Sequence, residues 1–170
     1  MQKLYFIRHG QTHMNVSGYW SGTTETQLTE EGKKQAKAAG KAARKLDIDL
    51  IVSSPMHRTK ETATIIAKEI GYDPTKIEYN SLLIERHFGE LEGKPWDPDL
   101  DMDGIADIES VDTLLERSRL ALEWLYTLPA KNILVVSHGS FGRALRSLLM
   151  PEYPFEHPAR LQNAEINHWV

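Results

Sequence analysis

Leu4-Tyr5-Phe6-Ile7-Arg8-His9-Gly10-Gln11-Thr12 is the stretch on which the reading of this chain turns. Four apolar residues in succession, rich in β-formers, predict a strand buried on both faces. The run stops on a cation, an imidazole and a glycine, and Gly10 allows a sharp backbone turn where the two polar side chains emerge. In open α/β sheets ligands bind beyond the carboxyl ends of the strands. Arg8 and His9 therefore stand where a ligand would be held.

The pattern occurs twice more. Leu50-Ile51-Val52-Ser53 is followed by Ser54-Pro55-Met56-His57-Arg58, and Ile133-Leu134-Val135-Val136 by Ser137-His138-Gly139. Each predicted strand delivers a cation or a histidine at its carboxyl end. If the strands are parallel neighbours, Arg8, His9, Arg58 and His138 converge on one pocket. Two fork-shaped guanidinium groups and two imidazoles around a small cavity suit a phosphate dianion.

Working outward, a polar loop is expected from His13 to Gln27. A helix opens at Thr29-Glu30-Glu31-Gly32, with Thr29 as N-cap and Gly32, Ala36, Ala39, Gly40, Ala43 and Leu46 as its buried face, close to the sheet. Ser54-Pro55 starts the next helix, which carries Arg58 early, turns Ala63, Ile66, Ala67 and Ile70 inward and ends at Gly71. Ile77-Glu78-Tyr79 reads as a short strand. Residues 82–110 form a short irregular lid with an acidic run, Asp97 to Asp107. Ser110 caps a third helix, a last helix runs from Phe141 to Leu149, and Gln162 to Val170 reads as a closing edge strand. Strands alternating with amphipathic helices imply a three-layer α/β/α sandwich with a mainly parallel sheet.

A chain of 170 residues with 41% hydrophobic and 26% charged residues is expected to fold as one domain with a substantial core. Its net charge of −4 argues against a nucleic-acid partner but leaves room for a local basic pocket. Without cysteine, neither a disulfide framework nor a thiolate metal site can form. No run reaches the length of a membrane span, and the first strand begins without space for a signal peptide, so a cytoplasmic location is the expectation. No cofactor or metal is called for: His9 and His13 have a zinc-like spacing, but Gly10 and the loop composition argue against a helix there. Neither composition nor motif specifies an oligomeric state.

The motifs taken together resemble the histidine phosphatase superfamily, also called phosphoglycerate mutase-like. Arg8-His9-Gly10-Gln11-Thr12 with Asn15 is similar to its signature. Leu28-Thr29-Glu30-Glu31-Gly32 with Gln35-Ala36, then Ser53-Ser54-Pro55 with Arg58-Thr59 and Thr62-Ala63, then Ser137-His138-Gly139, follow in the family's order. The resemblance implies that His9 is a nucleophile forming a phosphohistidine. It implies that Arg8, Arg58 and His138 hold the phosphoryl oxygens, with Asn15 and the Gly139 N–H as further donors. It also implies that Glu85, in Glu85-Arg86-His87-Phe88-Gly89, is the proton donor; spacing alone does not single it out among 24 acidic residues.

Two activities compete for such a chain. A phosphomonoester hydrolase acting on a small phosphorylated metabolite is the favoured expectation. Glu85-Arg86-His87-Phe88-Gly89 looks mutase-like, and Ser21-Gly22 falls where phosphoglycerate mutases contact substrate. Mutases, however, resemble longer chains whose lid bears paired arginines, and Lys94 to Ser110 contains none. A catalytically silent phosphate-binding module would need neither His9 nor Glu85. A metal-dependent hydrolase is disfavoured by the missing ligand set.

Overall fold

A computed structural model describes residues 1–170. The opening run forms β1 (Lys3–Arg8), and the other two apolar runs form β2 (Leu50–Ser53) and β4 (Asn132–Ser137). The short β3 (Glu78–Tyr79) and β5 (Ile166–His168) complete a five-stranded sheet in the order β3-β2-β4-β1-β5. β1, β2, β3 and β4 pair in parallel, and β5 closes the edge antiparallel to β1.

The continuous apolar runs have a direct physical cause. Side chains alternate across a strand, and here both faces are covered. Tyr5, Ile7, Ile51, Leu134 and Val136 meet Ala39 of α2 (Glu30–Ala43) and Ala63, Ile66 and Ala67 of α3 (His57–Ile70). Leu4, Phe6, Val52, Ile133 and Val135 meet Leu114, Ala121 and Leu125 of α4 (Val111–Thr127) and Phe141, Ala144 and Leu145 of α5 (Gly139–Leu149). Each large aliphatic or aromatic side chain buried this way contributes roughly 1.5–3 kcal/mol, and the result is the expected three-layer sandwich.

Two caps follow the sequence reading: Thr29 Oγ1 accepts from Gly32 N–H at 3.0 Å and Ser110 Oγ from Thr113 N–H at 3.1 Å. Four local details differ. The expected loop after β1 contains a short helix, α1 (His13–Ser17), held by a reciprocal box between Thr12 and Asn15 and stopped by Gly18 at φ 72°. α3 starts at His57 rather than Ser54-Pro55, because Met56 is still extended. α5 starts at Gly139, two residues before the expected Phe141. The small-residue face of α2 lies chiefly on α3 rather than on the sheet.

Residues 82–110 run between β3 and α4, with short 3-10 turns at Ser81–Leu83 and Gly89–Leu91. Phe88 and Leu91 pack with Trp20 into a small apolar cluster joined by Leu100, Met102, Ile105 and Ile108. Backbone hydrogen bonds from Trp20 N–H to Lys94 O (2.9 Å) and from Trp96 N–H to Gly18 O (2.7 Å) fasten the lid to the loop after α1. The acidic run is mostly solvated: Asp97, Asp99, Asp101, Asp103 and Asp107 are exposed. No helix is long and apolar enough to cross a membrane.

Candidate active site

Strand register brings the two histidines together. Arg8 of β1 lies opposite Ser137 of β4, so the next residues, His9 and His138, emerge side by side; Ser53 of β2 lies opposite Val136, which brings Ser54 to the same edge. The His9 and His138 rings meet edge to face with centroids 5.4 Å apart. His9 is 4% exposed and His138 fully buried.

Hydrogen bonding assigns the tautomer of His9. His9 Nδ1 lies 2.7 Å from Gly10 O, which only accepts, so Nδ1 carries the proton and Nε2 keeps its lone pair. Ser54 Oγ accepts from Met56 N–H at 3.3 Å and lies 2.9 Å from His138 Nε2. The Ser54 hydroxyl can donate to that ring nitrogen or accept from it, and His138 Nδ1 is buried without a partner. Burial first, and then the charge of Arg58, hold both imidazoles well below the usual histidine pKa; Arg8 acts in the same sense. Both rings are therefore neutral near pH 7.

Gly10 acts differently from the sequence reading. It is not among the residues at positive φ. A Cβ there would strike Gly32 O, and a Cβ on Gly32 would strike Gln11 O. Two glycines thus let the segment after β1 press against the first turn of α2. The segment is braced from both helices: Gly10 N–H donates to Thr62 Oγ1 at 3.1 Å and Gln11 N–H to Gln35 Oε1 at 2.9 Å. These contacts give Gln35 and Thr62, quoted above as motif residues, the structural task of holding His9 in place.

The two arginines are anchored so that one edge of each remains unused. Arg58, 1% exposed, donates from Nη1 to Thr24 O (3.0 Å) and from Nη2 to Gly22 O (2.6 Å). Arg8 donates from Nη1 to Leu161 O (3.0 Å) and lies against Gly139. Nε of both is buried without a partner. Unpartnered buried polar atoms are uncommon and costly, and three of them, Arg8 Nε, Arg58 Nε and His138 Nδ1, belong to residues around the His9 imidazole.

Glu85 is 8% exposed and sits at the amino end of α5. Its Oε1 accepts from Arg86 N–H (2.8 Å) and Phe141 N–H (2.9 Å), and Oε2 from Ser140 N–H (3.1 Å). A carboxylate there interacts favourably with the helix dipole. The cation network around it extends further: Arg117 of α4 donates to Ile84 O at 2.7 Å and pairs with Glu109 at 2.8 Å, fixing the chain on which Glu85 sits.

These groups open on a cavity of about 550 Å3. Arg8, His9, Asn15, Ser21, Gly22, Arg58, Glu85 and Gly139 all line it, as the motifs imply. His138 does not; expected in the wall, it stands behind it against the His9 ring, because β4 is the central strand and both sheet neighbours cover its end. Asn15 Oδ1 accepts from Thr12 N–H at 3.0 Å, which leaves its amide hydrogens to other partners.

The structure adds residues that the motifs did not mark. Arg86, Arg143 and Arg160 join the wall, with Trp20, Phe88, Trp96 and Phe155 as apolar surface. Asn163 lies opposite Arg8 and donates to His9 O at 2.9 Å. Arg143 follows Gly139 by one helical turn, a signal that was available; Arg160 and Asn163 come from the segment before β5 and had none. The arginine-free stretch from Lys94 to Ser110 therefore does not leave the mouth poor in cations. Five arginines against Glu85 and Glu156, five minus two, give the wall a formal charge of +3 with the histidines neutral, inside a chain of −4.

A neutral imidazole with a free Nε2, ringed by unpartnered cationic donors at the carboxyl edge of a parallel sheet, defines a class of phosphoryl-group site built on histidine. The sequence matches the histidine phosphatase superfamily (branch 1) over residues 4–169, and the chain belongs to that family. It is 35% identical to the probable phosphoglycerate mutase GpmB of Salmonella arizonae, the match covering 98% of this chain and 84% of that protein. Among solved structures, a phosphoserine phosphatase mutant from Entamoeba histolytica in complex with phosphoserine superposes with a TM-score of 0.84 at 28% identity, covering 100% of this chain and 91% of that one. A mycobacterial glucosyl-3-phosphoglycerate phosphatase, Rv2419c, superposes with a TM-score of 0.81 at 26% identity, covering 99% and 90%.

Proposed function

We propose that the protein is a phosphomonoester hydrolase that works through a phosphohistidine on His9 and takes a small phosphorylated metabolite. The observation that carries this reading is the Nδ1–H to Gly10 O bond, which leaves Nε2 free in a cavity wall that also holds Arg8 and Arg58, each with an unpartnered Nε–H. Nε2 attacks phosphorus as the ester P–O bond breaks, and the departing alkoxide takes a proton from Glu85. Water then returns a proton to Glu85 as it attacks phosphorus, releasing inorganic phosphate and restoring His9. Charge spreads over the phosphoryl oxygens in both steps, and fixed donors act where it accumulates. Hydrogen bonds to charged groups contribute about 1.5–3 kcal/mol each.

Hydrolysis rather than mutase chemistry is supported by the phosphatases among the similar structures and by the size of the cavity. About 550 Å3 leaves space for water beside a small ester, whereas a mutase must keep water from its phosphohistidine. The name of the GpmB relative favours a mutase, and one experiment separates the two. Purified protein, primed with a bisphosphoglycerate, is given 3-phosphoglycerate, and phosphate release is compared with isomerisation. Release is expected to dominate; isomerisation exceeding it by a large factor would overturn the reading. In His9→Ala, turnover and the acid-labile phosphoprotein are both expected to vanish while the melting temperature stays near that of the parent.

A further inference from the structure

Arg58 is held by a loop. The two carbonyls that accept from its guanidinium, Gly22 O at 2.6 Å and Thr24 O at 3.0 Å, belong to the stretch between α1 and α2, which has no helix or strand of its own. A backbone carbonyl orients a cation only as firmly as its own chain is held.

Glu92, from the segment between β3 and α4, reaches that loop. Its side chain is 9% exposed and takes no part in the cavity wall. Oε1 accepts from Thr24 Oγ1 at 2.7 Å, and the Thr23 hydroxyl lies 3.4 Å from both oxygens. Oε2 accepts from Phe88 N–H at 2.9 Å and lies 3.0 Å from His87 Nδ1. Gly22 completes the contact: a Cβ there would strike Oε2, and its φ of 52° favours glycine in its own right. One carboxylate therefore touches three consecutive residues, and the carbonyls of two of them hold Arg58. Burial opposes ionisation of Glu92, but the hydrogen bonds from Thr24, Phe88 and Thr23 outweigh it and hold the carboxyl below its usual range. A buried carboxylate persists only among such donors. Glu92 pairs with His87 and not with Arg58, so its effect on the guanidinium runs through the chain between them.

We propose that Glu92 is a positioning residue for phosphoryl transfer: by holding Gly22 and Thr24 it aims the Arg58 guanidinium at the phosphoryl oxygens. The proposal rests on the role given to Arg58 above and extends it to a side chain outside the cavity. Donors stabilise the transferring group only within about 2.7–3.1 Å of the charged oxygen, and a misplacement of about 1 Å can cost about a hundredfold in rate.

The test compares kcat/KM for p-nitrophenyl phosphate in the parent, Glu92→Gln, Glu92→Leu and Thr24→Val, at a temperature well below every melting transition. In Glu92→Gln the amide oxygen can keep Phe88 N–H while the amide nitrogen donates to the Thr24 hydroxyl, which turns to accept. Its activity should stay close to that of the parent. Glu92→Leu and Thr24→Val should each lose about tenfold to a hundredfold. The loss must run through Arg58, so in an Arg58→Met background Glu92→Leu should cost no more than about twofold. Should Arg58→Met not fold, rescue by glutamine and the combination of Glu92→Leu with Thr24→Val decide, the pair losing no more than either alone. Parental kcat/KM in Glu92→Leu, an equal loss in Glu92→Gln and Glu92→Leu, or a full loss persisting in Arg58→Met would overturn the positioning role and leave the phosphoryl site standing. Arg58→Met as active as the parent would instead overturn the role of Arg58 on which the proposal rests.

Discussion

Replacing Glu85 by glutamine separates the structural task of its carboxylate, whose size the hydrogen bonds set, from the catalytic task proposed for it. The glutamine oxygen can keep the Arg86 and Phe141 N–H groups, but its amide nitrogen then faces Ser140 N–H, which Glu85 Oε2 now accepts at 3.1 Å. Two donors oppose each other, one charge-assisted hydrogen bond is lost, and the negative charge at the amino end of α5 disappears. The bond is worth about 1.5–3 kcal/mol and the dipole interaction about 0.3–1 kcal/mol. Together they predict a loss of about 2–4 kcal/mol, or roughly 4–16 °C in melting temperature at about 2–4 °C per kcal/mol for a chain of this size. The catalytic effect is distinct. Proton donation to the leaving group contributes about 10²–10⁴-fold, but only where that group needs a proton.

A quenched-flow assay reads the two tasks separately. With p-nitrophenyl phosphate, whose phenolate leaves unaided, Glu85→Gln should still release one equivalent of p-nitrophenolate rapidly. Steady turnover should then slow, because the same side chain must activate water. With glycerol 3-phosphate, formation of the phosphohistidine itself should slow by the full factor. Phosphorylation of His9 by glycerol 3-phosphate at the parental rate in Glu85→Gln would refute the role of Glu85 as proton donor, whatever the melting temperature.

Gly10→Ala should destabilise by about 1–3 kcal/mol through overpacking, since its Cβ would meet the Gly32 carbonyl; a melting temperature unchanged from the parent would show that the segment after β1 can move aside. Stability should also fall in mild acid. Both histidines titrate well below the usual value when folded and near 6.5 when unfolded, so below about pH 6.5 the unfolded chain binds more protons and stability declines by up to about 1.4 kcal/mol per pH unit for each. Melts from pH 7.5 to 5.5 should decline less steeply in His138→Asn; equal slopes would refute the buried neutral state.

The fold was readable because its strands are buried on both faces. Leu4 to Ile7 and Ile133 to Val136 carry no polar residue to interrupt the run, and Thr29 and Ser110 announce their helices by side chains that cap backbone N–H groups. α1 was not readable, since it buries no residue and has no apolar period; what holds it is the Thr12–Asn15 box, a purely local device. The start of α3 was misread for a related reason. Pro55 suits a first helical turn, but here Ser54 and Met56 carbonyls are taken by Thr59 Oγ1 at 2.9 Å, an arrangement that settles the boundary only once the chain is folded.

Within the site, distance along the chain matters less than the kind of element that delivers a residue. Arg8, His9, Arg58 and His138 follow strands whose ends must line up once the sheet is parallel, so their convergence could be argued from the runs alone. Glu85 cannot be found that way, because it is placed by the free N–H groups of α5, more than fifty residues later. Arg160 is placed by β5, whose pairing with β1 leaves the preceding residues running past Arg8. The missing arginines from Lys94 to Ser110 do not set the charge of the cavity, which takes it from every element that reaches it. α5 contributes both signs: its amino end holds the Glu85 carboxylate, and one turn later its Arg143 faces the same space. The Glu85 carboxylate and an unpaired cation are thereby held by the same helix.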